Sequence, residues 1–590
     1  MLDPRIYRAA LIPALVALVI AAFSIESPPR ALTAGLPPDS FSAARSFSDL
    51  RELAAAYPSR EPGGRGDRAL ARRLVAELHR DDFRVGIRQF RADTARGSRE
   101  LEDVVGRRVG LSSRQIVVVA HRDALSRPGT AELSGTAALL ELARVFQGRT
   151  LHKTLVLVST SGGSGGAAGA AEAARHLTGP VDAVLVLGDL AGRRVRRPVV
   201  VPWSNGDQIA PTALRATVDA AVQLETGLRP GASGLIAQFS RLGFPLTVGE
   251  QGEIGAQGLP AVLLSVSGDR GPGDAAGVEL PRLGAFGRAA LRSITALDAR
   301  VAPPPAPRAE LSAAHNLLPG WAVRLVVGTL ILPGLLAAID GFARVRRRHQ
   351  PVGRWIVWVL AGGLPLAGAF AFAWLLALIG LMPTPPPAAA PVGAVPLGAG
   401  GLAVLAAVVL AGVVAALVVR PAVLRRAHVD QEPDSLGAAA ALSLVLAAAV
   451  TCAWLFNPFA AALLLPALHG WMLLAAPEIR VRRSAARALV GLTLLPVAVV
   501  VLYYALALGA GPLQLPWNAL LLVVGGQVGL LGALSWSVLS GCLVAVLAIA
   551  RAKGLEPPVA REQTIRGPSG YAGPGSLGGT DSALRPWARL

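Results

Sequence analysis

The chain has 590 residues, of which 53% are hydrophobic and 16% charged, with a formal net charge of +19 carried almost wholly by arginine. So apolar a composition excludes a wholly soluble or disordered chain, and the length exceeds one ordinary domain. Both cysteines, Cys452 and Cys542, lie in apolar runs, which excludes a disulfide framework and a four-cysteine zinc site.

Residues 1–24 hold Arg5 and Arg8 ahead of an apolar run at 11–23. No A-x-A site follows, so an uncleaved N-terminal anchor is expected, with a cleaved signal peptide as the alternative. A Pro/Ser/Ala-rich linker follows at 25–45, then an α/β unit over 46–300. Its spacing predicts an amphipathic helix at 68–78 and a strand at 83–90. The strongest pattern lies between 115 and 192, where the short apolar runs 116–120, 155–158 and 184–187 alternate with helical periodicity. That alternation predicts βαβ units around a buried parallel sheet. Ligands of such sheets sit beyond the carboxyl ends of the strands, where His121, Asp123 and Asp189 fall. A helix at 212–224, a strand at 261–266 and a closing helix at 280–297 complete the unit. Residues 301–316 read as a Pro-rich linker.

From 317 to 550 the sequence carries seven apolar runs of membrane length, at 317–342, 355–382, 397–419, 436–456, 459–476, 488–508 and 517–550. Alternate loops are rich in arginine (Arg344 to Arg348, Arg420 to Arg426, Arg480 to Arg487), and the loops between them carry no charge. The positive-inside rule then makes the arginine loops cytoplasmic, in agreement with Arg5 and Arg8, and places 46–300 outside. A multi-pass protein of the cell membrane is expected, with the lipid bilayer as a partner and a disordered cytoplasmic tail at 551–590. The arginine excess is thereby explained without nucleic acid as a partner.

The blocks AHRDA, SGTAALLELAR, KTLVLVSTSGG, VLGDLAG and QGLPAVLL follow one another over about 170 residues. In order and spacing they resemble metallopeptidase family 28, the di-zinc aminopeptidases. The resemblance implies an aminopeptidase-like mixed or parallel sheet flanked by helices, fused here to an all-α transmembrane bundle that it does not cover. It implies His121 and Asp189 as metal ligands, and Asp123 as the carboxylate that orients His121. The remaining family positions are substituted. The bridging aspartate falls on Ala131 with Glu132 beside it, the paired glutamates on Gly163 and Ser164, and the last histidine on Arg270. No histidine occurs between Asp189 and His315.

Catalytic zinc normally takes three protein ligands and an open position, and its bound water needs a base. With two ligands and no base left, the expectation is a pseudo-peptidase that binds a peptide or envelope component, with no cofactor. In this reading Arg270 pairs with Asp189 in place of a metal. The alternatives are a zinc aminopeptidase using Glu132 as a substitute ligand, and a transporter or assembly factor gated by the exported unit. The run Gly162 to Gly166 lacks the features of a P-loop, and Ser159, Ser161 and Ser164 lie in no G-x-S-x-G elbow. His469 stands nearly alone in its span and is expected to bond a backbone carbonyl.

Overall fold

The computed structural model describes residues 4–35, 40–231, 233–273, 277–313, 316–349, 351–383, 385–386, 388–429, 435–479 and 481–553. The expected tail lies outside the described residues from 554 onward, as do Asp274, His315 and Arg480.

Seven strands form one mixed sheet: β1 (Arg84–Thr94), β2 (Gly97–Arg108), β3 (Ser112–His121), β4 (Lys153–Thr160), β5 (Val181–Leu187), β6 (Val200–Val201) and β7 (Ala261–Leu264). Their order is β1-β2-β4-β3-β5-β7-β6. The four central strands are parallel, the β1–β2 hairpin runs antiparallel on one edge, and β6 runs antiparallel on the other.

The apolar runs are continuous because both faces of the sheet are covered. Ile116, Val118, Leu155, Leu157 and Leu185 join one core with the helices Ala43–Ala56, Arg65–Arg80, Ser134–Phe146 and Leu280–Asp298. Val117, Val119, Val156, Val158 and Val184 point the other way, towards the helices Ala168–His176 and Glu250–Ala256. The expected strands at 116–120, 155–158, 184–187 and 261–266 are thus the parallel centre. The pattern does not predict the hairpin partner β2, because GSRELEDVVGRR alternates charged and apolar residues too weakly to mark an edge strand. The linker expectation at 301–316 is also corrected. Glu310–Ala313 pairs antiparallel with Asn316–Pro319, a ribbon leading into the first long helix of the second half.

Among the described residues, seven helices are long and apolar enough to cross a membrane, Pro4–Phe23 and six after residue 319. An eighth crossing is available if the pair Val352–Ala361 and Leu364–Leu378, bent by 49°, counts as one. The bend has a local cause. Gly362 and Gly363 lie so close to the helix Gly529–Lys553 that a Cβ on Gly363 would stand 2.2 Å from the Ser537 carbonyl oxygen, and Pro365 restarts the helix. The single run expected at 517–550 is two helices, Gln514–Val524 and Gly529–Lys553, parted at Gly525 and Gly526. His469 meets its expectation: Nε2 is 3.1 Å from the Leu330 carbonyl oxygen.

The α/β unit is seated on this bundle. Helix Leu235–Gly243 packs on the helices Pro458–Ala475 and Arg483–Leu508. There Asn457 Nδ2 donates to the Leu242 carbonyl at 2.7 Å, and Tyr504 Oη donates to that of Phe244 at 2.6 Å. Arg241 lies over the rings of Tyr503 and Tyr504 and pairs with Asp269 at 2.7 Å. Loops that follow β4 and β7 also reach the bundle, since Gly166 packs on Pro386 and Arg270 on Gly509. The strand ends that carry the candidate site therefore face the half built of long apolar helices.

Candidate functional site

His121 is the last residue of β3, held at the rim of the sheet by parallel pairing with Thr160 of β4. Its Nδ1 lies 3.4 Å from Glu250 Oε2, a charge pair rather than a well-formed hydrogen bond. Glu250 opens the helix Glu250–Ala256, where the helix dipole favours an acid, and Thr160 Oγ1 donates to its other oxygen at 2.5 Å. Burial alone would lower the His121 pKa, but the contact with Glu250 and the charges of Glu250, Asp123 and Glu132 raise it to about 9. Nothing in the sequence linked Glu250 to His121. Its only signal is an acid at the start of a short helix.

Gly163 packs directly against this pair. A Cβ built on it would lie 2.3 Å from His121 Cβ, 2.7 Å from Cγ and 2.9 Å from Glu250 Oε1. The backbone thus runs against the imidazole, and the Glu250 carboxylate fills the space beside it. Ser164 turns to Asp123, the aspartate expected to orient His121. Asp123 Oδ1 accepts from Gly163 N at 2.9 Å, and its Oδ2 accepts from Ser164 N at 3.1 Å and Ser164 Oγ at 2.5 Å. It caps the Gly/Ser loop, and no hydrogen bond joins it to His121.

Asp189, just past β5, is engaged in the same way. Its Oδ1 accepts from the amides of Ala191 at 3.0 Å and Gly192 at 2.7 Å, and Oδ2 accepts from Ser267 Oγ. Burial pushes its pKa up despite these donors. The expected pairing with Arg270 is corrected: the Arg270 guanidinium lies against Gly509, at the carboxyl end of the helix Arg483–Leu508. Ser267, three residues earlier, takes the aspartate instead. Ala131 is buried in the turn that leads into the helix Ser134–Phe146, where its carbonyl accepts from Ser134 Oγ at 2.5 Å. Glu132 contributes its charge to both His121 and Arg60.

Beneath these residues lies a polar network that the sequence did not disclose. Arg122 and Asp67 are fully buried and 2.8 Å apart. Arg122 also donates to the carbonyls of Ser159 and Glu102, and Ser161 Oγ donates to Asp67. Arg60, equally buried, donates to the carbonyls of Tyr57, Arg122 and Gly129. Asp103 accepts from Ser161 N at 3.1 Å, and burial raises its pKa to about 8. These contacts tie down the loops after β3 and β4, although Asp67 Oδ1 and Asp103 Oδ2 accept no hydrogen bond among the described residues.

The donor set does not fit a two-zinc centre. Among the described residues no three His, Cys, Asp or Glu side chains gather as metal ligands do. His121 is paired with Glu250, and both Asp189 oxygens are committed to a loop.

No protein-family model matches this sequence, and no curated protein matches it. Among solved structures, the chain is similar to a zinc aminopeptidase from Bacillus subtilis at 11% identity and a TM-score of 0.36, over 44% of this chain and 95% of that one. A glutaminyl cyclase from Fimbriiglobus ruber matches at 14% identity and 0.36, over 45% and 99%. A leucine aminopeptidase precursor from Bacteroides thetaiotaomicron matches at 14% identity and 0.36, over 44% and 99%.

Proposed function

We propose that this chain is a multi-pass protein of the cell membrane whose 46–300 unit lies outside the cytoplasm and binds a peptide or another envelope component without hydrolysing it. The observation that carries this reading is Gly163, where the chain passes too close to His121 and Glu250 for any side chain. A carboxylate base cannot return to that position without moving β3 or the Gly/Ser loop. Engagement of Asp123 and Asp189 by loop amides supports the same reading, because those groups are satisfied without a cation. The arginine-rich loops support the orientation.

The test is metal analysis of the purified full-length protein together with hydrolysis of aminoacyl-nitroanilides. The expected result is no tightly held zinc and no turnover above the buffer rate. Stoichiometric zinc with chelator-sensitive turnover would refute the proposal and restore the zinc aminopeptidase alternative.

A further inference from the structure

A cavity of about 690 Å³ opens between the helices Pro458–Ala475, Arg483–Leu508, Gln514–Val524 and Gly529–Lys553. Leu463, Trp471, Val497, Val501, Leu522 and Leu543 are among its walls, and no charged residue or histidine lines it. Its roof is built from both halves of the chain: Phe244, Leu246 and Val248 from the α/β unit, and Pro386 and Ala389 from the external loop between two spans. Three of the four helices are long and apolar enough to cross a membrane. Apart from Tyr504, Asn518 and Ser540 its walls are apolar and offer water few partners, and its volume lies in the range of ligand sites. In a membrane the matching occupant is hydrocarbon.

One side of the rim is cationic. Leu508 and Ala510 line the cavity, and Gly509 between them carries the Arg270 guanidinium, close enough that a Cβ there would lie 2.1 Å from Arg270 Cζ. Burial lowers the Arg196 pKa, and the charges of Arg270 and Arg194 lower it further. Among the described residues none of these three guanidiniums has an ion pair or a side-chain hydrogen bond. Asp269, next to Arg270, is already committed to Arg241 and Thr247. Like charges that influence one another, with no counter-ion among the described residues, favour an anion, and guanidiniums suit phosphate oxygens.

We propose that this cavity is a binding site for an anionic phospholipid-type amphiphile, with its hydrocarbon chain between the four helices and its phosphate at Arg194, Arg196 and Arg270. The proposal rests on the membrane placement of these helices and not on the loss of hydrolysis, so the zinc and peptidase assays leave it intact. It gives the substituted position Arg270 a role that a histidine ligand could not fill.

The test uses the full-length protein in nanodiscs doped with phosphatidylglycerol or phosphatidylcholine bearing a photoreactive group on the acyl chain. Labelled peptides are mapped by mass spectrometry. The expected result is labelling of 494–501 and 519–522 by the anionic probe well above that by the zwitterionic one. The double variant Arg196→Gln/Arg270→Gln should cut anionic labelling by at least about tenfold, since the loss of even one charge-assisted contact amounts to that factor. Its thermal unfolding should match that of the wild type, since neither side chain has an ion pair among the described residues. A second variant, Ala519→Trp, fills the cavity from its wall and should lower labelling while Arg196 and Arg270 remain. Equal labelling by the two lipids, or unchanged labelling of the double variant, would each overturn the proposal.

Discussion

Replacing Gly163 with alanine tests the central geometric claim. The added Cβ would lie 2.3 Å from His121 Cβ and 2.7 Å from Cγ. The first of these atoms is fixed to the backbone of β3 and cannot rotate away, and Asp123 pins the loop from the other side. The contact is therefore relieved only by shifting backbone. Overpacking of this kind costs about 1–3 kcal/mol, and an immovable neighbour places it at about 2–3. For a unit of this size each kcal/mol lowers Tm by about 2–4 °C, so the variant should melt about 4–12 °C below the wild type. The assay is thermal unfolding of the full chain in detergent, with Gly86→Ala as the control. Gly86 lies in β1, and a Cβ placed there would have nothing within 4 Å, so that variant should match the wild type. Gly163→Glu, which writes back the residue implied by the resemblance, should be destabilised further and gain no zinc. A stable Gly163→Glu protein that binds zinc would refute the reasoning.

Three other outcomes follow from the buried charges. Asp103, whose pKa is raised to about 8, holds a proton in the folded state that the unfolded chain releases above about pH 4. Its contribution to stability is complete below that pH and is lost as pH rises through about 8, with a slope of up to about 1.4 kcal/mol per unit. Asp103→Asn should therefore gain on the wild type between pH 5 and 8 in thermal unfolding, and parallel curves would contradict the assignment. Arg122→Met strands Asp67 in the core and should cost about 3–5 kcal/mol, part of it recovered by adding Asp67→Leu; a cost under 1 kcal/mol would mean that water reaches the pair. Arg241→Leu leaves Asp269 without its cation at the contact between the two halves, so amide exchange across 235–249 should quicken by at least tenfold, and unchanged protection would show that the stacked tyrosines alone hold that contact.

The parallel centre of the sheet was legible because both its faces are buried. Runs such as Ile116 to Ala120 have to be apolar at every position, and no other short pattern in a charged context reads that way. The long apolar helices were legible for a similar reason, since a membrane imposes a length that few other environments do. The edge hairpin and the break at Gly525 were less visible. Exposed strands tolerate charge on alternate residues, and a short kink interrupts composition too briefly to show.

Local composition determined which stretches were buried and on how many sides, because burial is set residue by residue by the cost of leaving apolar surface in water. It also showed which positions of the resembled blocks carry Gly, Ser, Ala or Arg, since that needs only residue types in order. What surrounds those positions was decided in three dimensions. Glu250 reaches His121 from a helix distant in sequence, Ser267 takes the Asp189 oxygen expected for Arg270, and Arg270 crosses to Gly509 in the other half of the chain. Side chains find partners by proximity after the backbone has closed, and spacing along the chain carries no record of that distance.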